Sequence, residues 1–179
     1  MVSLPKGEAF MLHIYYGDGK GKTTAAVGLA VRASGAGKRV IFTQFFKDGS
    51  SSEVEALKTL PGIRTIHAQT VKGFYRSMTP EQREQAREDY TALFRQVAAA
   101  GKDADLLILD EIVSACNRGV VPETLVTDFL RSKPAELEVV LTGRNPSPAL
   151  MELADYITEM RKLRHPYDRG VAARRGIEF

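Results

Sequence analysis

The sequence predicts an α/β domain built on a mainly parallel β-sheet, and three observations lead there. Short apolar runs alternate with longer stretches of helical periodicity along the whole chain of 179 residues. A glycine-rich loop closing on Gly21-Lys22-Thr23 follows the first of these runs, and a later run ends on two carboxylates, Asp110-Glu111. With 44% hydrophobic residues the chain fills one core and is too short for two ordinary domains, so one domain over residues 1–179 is expected.

The strands expected from these runs are Met11 to Tyr16, Arg39 to Phe45, Ile63 to His67, Leu106 to Asp110, Leu137 to Thr142 and Tyr156 to Glu159. The first helix should run from about Lys22 to Ser34, with Gly35 and Gly37 supplying the left-handed stop and Arg32 near its end. Asp48 to Ser52 reads as a short loop. Thr79-Pro80-Glu81-Gln82 opens the longest helix with an N-cap, a first-turn proline and a capping-box partner, and Gly101 ends it. Ala86, Tyr90, Leu93 and Val97 give it one apolar face, opposite Arg83, Glu84, Arg87 and Glu88. Shorter helices begin at Pro122, burying Leu125, Val126, Phe129 and Leu130, and at Pro148 behind a Ser147 cap.

Residues Gly17-Asp18-Gly19-Lys20-Gly21-Lys22-Thr23-Thr24 lie between the first strand and the first helix, the context a phosphate-binding loop requires. Glycines let successive backbone N–H groups turn toward phosphate oxygens. Lys22 supplies a mobile positive charge, the Thr23 hydroxyl can reach a phosphate-bound magnesium, and the helix adds its positive end. The pattern G-x-x-x-x-G-K-[ST] is modified, because Tyr16 occupies the first glycine position and extra glycines stand at 17 and 19. The geometry of γ-phosphate hydrolysis therefore does not carry over automatically. Asp110 and Glu111 end an apolar strand where a hydrated magnesium ion takes one or two carboxylates beside phosphate oxygens. In such a sheet the ligand sits beyond the carboxyl ends of the strands, which brings Lys47, Phe74, Tyr75, Arg76, Asn117 and Arg144 toward the loop.

Composition excludes several alternatives. No apolar run reaches the roughly 18 residues of a membrane span, and the N-terminus does not read as a signal peptide, so a cytoplasmic protein is expected. The single cysteine, Cys116, forms no internal disulfide and reads as packing. A net charge of +3 is too weak a field to argue for nucleic-acid binding. Arg161, Lys162, Arg164, Arg169, Arg174 and Arg175 crowd the C-terminal segment, whose mixed composition favours an ordered stretch over a simple basic tail.

Taken together, the loop with its continuation Ala25-Ala26, Leu109-Asp110-Glu111-Ile112, Leu141-Thr142-Gly143-Arg144, and the ending His165-Pro166-Tyr167-Asp168 through Gly176-Ile177-Glu178-Phe179 resemble the ATP:corrinoid adenosyltransferases, the cob(I)alamin or cob(I)yrinic acid a,c-diamide adenosyltransferase family. The resemblance spans nearly the whole chain. It implies a three-layer P-loop NTPase-like, RecA-like fold that transfers the 5′-deoxyadenosyl group of ATP to Co(I) of a corrinoid and releases triphosphate. By matching position, Gly17 to Thr24 and Arg32 would hold the nucleotide, Thr23, Asp110 and Glu111 the magnesium, and Lys22 and Glu111 would be the catalytic groups. The family's Phe-x-Trp segment beside the corrin reads Phe74-Tyr75-Arg76, so Arg76 stands where tryptophan is the pattern. Tyr75 as a second aromatic and Arg76 as a ligand for a corrin side chain are the two readings of that departure. The resemblance also implies a homodimer and an electron donor such as a reduced flavoprotein. The first strand is expected about ten residues into the sequence, so the long N-terminal helix of some family members is expected to be absent or shortened. A P-loop ATPase or small-molecule kinase, and a noncatalytic nucleotide-gated corrinoid carrier, are the competing readings.

Overall fold

The computed structural model describes residues 11–47, 49–68, 75 and 78–178. Six strands, β1 (Leu12–Tyr16), β2 (Val40–Gln44), β3 (Ile63–Ile66), β4 (Leu106–Asp110), β5 (Glu138–Gly143) and β6 (Tyr156–Glu159), form one sheet in the order β3-β2-β4-β5-β1-β6. Every pairing is parallel. The helices are α1 (Lys22–Gly35), α2 (Ser52–Lys58), α3 (Pro80–Ala100), α4 (Ile112–Asn117), α5 (Glu123–Ser132) and α6 (Pro148–Leu153).

Alternation along the strands divides the core into two layers, because successive side chains point to opposite faces. Val40, Phe42, Leu106, Ile108 and Val140 pack with Ala26 and Ala30 of α1 and Val54 and Leu57 of α2. Ile41, Leu107, Leu109, Val139 and Leu141 face the other way, onto the apolar stripe of α3 and onto α4, α5 and α6. Burial on both faces explains why these strands read as continuous apolar runs. The result is the three-layer α/β arrangement expected.

Local signals set most element ends. The Thr79 hydroxyl accepts from Gln82 N and the Gln82 side chain accepts from Thr79 N, completing the capping box of α3. Ser147 Oγ accepts from Leu150 N at the start of α6. Gly37 takes the left-handed conformation that ends α1, with φ +76°. Two short helices were not expected. α2 starts at Ser52, inside the stretch read as a loop, and α4 follows directly on the acidic end of β4.

The extra glycines of the phosphate loop have a tertiary cause. The chain leaving β6 crosses the loop at backbone contact: Gly19 N donates to Met160 O at 2.7 Å and Met160 N donates to Tyr16 O at 2.7 Å. A Cβ on Gly17 or on Gly19 would lie 2.5 Å from Met160 O, and Gly17 also has φ +118°. Gly19→Ala should therefore lower stability by about 1–3 kcal/mol. Gly28→Ala, on the exposed face of α1 with open space at its Cβ, should raise it by about 0.5–1 kcal/mol. Thermal unfolding of the two variants checks this, and equal melting temperatures would contradict the crossing as the reason for Gly19.

Candidate active site

β1, β4 and β5 end beside one another and build the site. The parallel register sets Tyr16 level with Gly143 and Gln44 level with Asp110. The loop then opens a cleft of about 220 Å³ walled by Asp18 to Thr24, Glu111, Arg144, His165, Ile177 and Glu178. An adjoining cleft of about 340 Å³ lies between Thr23, Thr24 and Val27 on one side and Lys47, Ser52 and Glu53 on the other, with Gly176 to Glu178 across it. A larger hollow of about 420 Å³ between β3 and α3 contains no residue of the loop.

Lys22 is buried, and its Nζ donates to Gly19 O at 2.7 Å, folded back along the loop. Burial lowers its pKa, assisted by the Arg144 charge. Gly21 caps α1 in the left-handed conformation without a side-chain hydrogen bond, and no acidic residue occupies the first turn. The helix thus presents its first amides and its positive end to the loop, an arrangement suited to an anion.

Asp110 is fully buried and is the hub of the acidic side. Thr142 donates its hydroxyl to Asp110 Oδ1 at 2.6 Å, Thr23 donates to Oδ1 and Oδ2 at 3.0 and 3.2 Å, and Gln44 Nε2 donates to Oδ2 at 3.1 Å. Gln44 Nε2 also donates to Glu53 Oε1 at 2.9 Å, where Lys47 Nζ joins at 3.1 Å. Glu111 N donates to Thr142 Oγ1 at 2.9 Å, and Glu111 itself takes φ +62°. For a residue other than glycine that conformation costs roughly 1–2 kcal/mol, so the surroundings hold Glu111 at the cleft against its own preference.

Hard oxygen donors, the Asp110 carboxylate and the Thr23 hydroxyl in contact with it, together with the Glu111 carboxylate on the cleft wall, suit magnesium. Among the described residues no three His, Cys, Asp or Glu side chains gather into a metal cage. That donor set fits an ion that keeps waters and phosphate oxygens in its coordination shell.

Other expected residues fall into place or outside the site. Lys20 Nζ donates to Ile177 O at 2.8 Å and to Glu178 Oε1 at 3.0 Å. Asp18 Oδ1 accepts from Lys162 N at 2.9 Å and so ties the loop to the chain after β6. Asn117 Nδ2 donates to Arg144 O and Asn145 O, fixing the turn that carries Arg144 into the cleft wall. Arg32 is exposed in the last turn of α1 and is not among the residues that wall the two clefts. A rise of 1.5 Å per residue carries it about 15 Å along the axis from Lys22. Tyr75 is half-buried, 5.6 Å from the Phe46 ring and beneath the Arg83 guanidinium, while Phe74 and Arg76 lie outside the described residues. Burial pushes the Cys116 thiol up to about 12, consistent with packing and unsuited to a nucleophile. Sequence reasoning missed Gln44 and Glu53, and it quoted Thr142 and His165 only as parts of matched segments, with no role of their own. Register and packing bring all four to the site.

The fold and loop define the class as a P-loop nucleotide-binding α/β protein. EssC ATPases 2 and 3 from Geobacillus thermodenitrificans share this fold, with a TM-score of 0.54 at 14% identity over 94% of this chain and 35% of that one. The cytoplasmic domain of EssC gives a TM-score of 0.54 at 16% identity, over 93% of this chain and 37% of that one. The family model for ATP:corrinoid adenosyltransferase BtuR/CobO/CobP matches residues 8–179, and the chain belongs to that family. It is 31% identical to a corrinoid adenosyltransferase of Pseudomonas aeruginosa, over 99% of this chain and 88% of that protein. It is 33% identical to the corrinoid adenosyltransferase of Escherichia coli, over 99% and 90%, and to CobA of Salmonella typhimurium over the same shares. Among the described residues, no helix is long and apolar enough to cross a membrane.

The protonation of Asp110 gives a test of the buried hub. Burial is its largest influence and raises its pKa above 3.8, opposed by the Thr142 hydrogen bond. A raised native pKa means that the folded protein keeps a proton the unfolded chain has released. The associated stability is full below the unfolded value and is lost as pH rises through the native one. Asp110→Asn removes that loss. Its melting temperature relative to wild type should therefore rise with pH from the unfolded value of 3.8 upward; a difference that does not change with pH would contradict a raised pKa.

Proposed function

We propose that this chain transfers the 5′-deoxyadenosyl group of ATP to the Co(I) form of a corrinoid and releases inorganic triphosphate. The observation that carries the reading is the modified phosphate loop, with Lys22 and the Thr23–Asp110 pair on its two sides, in a chain that belongs to the corrinoid adenosyltransferase family. Cob(I)yrinic acid a,c-diamide and cob(I)alamin are the substrate forms. A homodimer in the cytoplasm, supplied by an electron donor such as a reduced flavoprotein and acting on neither nucleic acid nor membrane, completes the proposal.

The Co(I) electron pair attacks the ribose 5′ carbon as the bond from that carbon to the α-phosphate oxygen breaks. The two electrons of that bond leave with triphosphate, and cobalt becomes formally Co(III) in the new cobalt–carbon bond. No protein nucleophile is needed. The protein's task is to stabilise negative charge that grows at the α end of a whole triphosphate leaving group. Lys22 would swing from Gly19 O onto phosphate oxygens, while the amides of Gly17 to Thr24 and the start of α1 hold the rest. Thr23, Asp110 and Glu111 would hold magnesium, which supplies charge neutralisation to the leaving phosphates. Phe74, Tyr75 and Arg76 would stand beside the corrin, where an apolar aromatic wall keeps water from Co(I).

Incubation without oxygen of chemically reduced corrinoid with MgATP should give a light-sensitive alkylcobalt spectrum. Lys22→Ala should lower the rate by roughly 100-fold or more through lost charge stabilisation. Wild-type rates in that variant would remove Lys22 from the mechanism.

A further inference from the structure

We propose that Lys20 and Arg174 form a second cationic contact for the triphosphate of ATP, masked in the free protein by the carboxylate of Glu178. The inference rests on the nucleotide reading of the loop. Glu178 Oε1 accepts from Lys20 Nζ at 3.0 Å and from Arg174 Nη2 at 3.1 Å. Its Oε2 accepts from Arg174 Nε at 3.2 Å and from Arg174 N at 2.8 Å. One carboxylate therefore holds a lysine of the phosphate loop and an arginine of the C-terminal segment together. Lys20 Nζ spends a further hydrogen bond on Ile177 O.

The position gives this clasp its meaning. Ile177 and Glu178 wall both clefts beside the loop, so the Glu178 side chain stands at the walls of the space open to phosphates. A negative group there repels a polyphosphate and occupies Lys20 of the cleft wall and, beside it, Arg174. Exposed pairs of this kind contribute little to stability and exchange readily. A triphosphate offers several anionic oxygens, and the guanidinium fork of Arg174 matches two of them at once. ATP binding then exchanges an intramolecular carboxylate for phosphate oxygens, bringing Lys20 and Arg174 onto the ligand and releasing Glu178. The turn that carries Glu178 is held by Ile177 N and Glu178 N donating to Arg174 O at 3.2 and 2.9 Å, and it loosens in the exchange.

The test uses the whole protein and calorimetric titration with inorganic tripolyphosphate, with adenosine as the uncharged control. Glu178→Gln keeps the side-chain shape and removes the charge. It should tighten tripolyphosphate roughly three- to tenfold and leave adenosine unchanged. Adding Arg174→Gln to that variant should return most of the gain. Unchanged or weaker tripolyphosphate binding in Glu178→Gln, or an equal gain for adenosine, would overturn the proposal. Hydrogen exchange on the unaltered chain keeps the test independent of variant folding. The amides of Ile177 and Glu178 should exchange faster with tripolyphosphate bound, and slower exchange would count against release. Because this binding requires no corrinoid, failed adenosyl transfer with the expected binding pattern would refute the proposed reaction alone.

Discussion

The nucleotide end of this protein depends on backbone contact between the phosphate loop and the chain leaving β6. A loop of this kind is a strained surface turn unless its shape is fixed, and here Met160 fixes it by accepting from Gly19 N and donating to Tyr16 O. Asp18 adds a side-chain tie to Lys162 N. The same contact turns the chain across the site, so that His165, Ile177 and Glu178 become walls of the cleft. Tyr16 in place of a glycine is compatible with this arrangement because it is the last residue of β1, in register with Gly143, and still has strand geometry.

On the other side of the cleft, Asp110 links the sheet to the loop. Three side-chain donors on it come from three elements: Thr23 from α1, Gln44 from β2 and Thr142 from β5. A buried carboxylate is costly unless its lone pairs are satisfied. These donors meet that requirement and at the same time place the Thr23 hydroxyl where a phosphate-bound cation needs it. Gln44 extends the network to Glu53 and Lys47, so the two adjoining clefts share one set of polar contacts.

The sheet, α1 and α3 were legible in the sequence because their determinants are local: apolar runs for buried parallel strands, a capping box at Thr79, and a left-handed glycine at Gly37. α2 and α4 were not. One begins in a serine-rich stretch that reads as a loop, and the other follows Glu111, an N-cap in a left-handed conformation that no acidic residue advertises. The loop's chemistry was visible, but the reason for Gly17 and Gly19 was not, since it lies in the backbone of Met160, far along the chain. Arg32, named for the nucleotide by resemblance alone, stands in the last turn of α1, away from the loop. The C-terminal arginines read as an ordered basic stretch, and Arg174 acquires its place only through Glu178.

The central claim is that the loop stabilises a whole triphosphate as a leaving group and does not open the γ-phosphate to water. The most direct measurement is the phosphate product formed per corrinoid consumed, read by phosphorus NMR in a single reaction with MgATP and Co(I) corrinoid. The account predicts intact inorganic triphosphate, one for each cobalt–carbon bond formed. Orthophosphate and ADP appearing in its place, with the corrinoid unchanged, would contradict it.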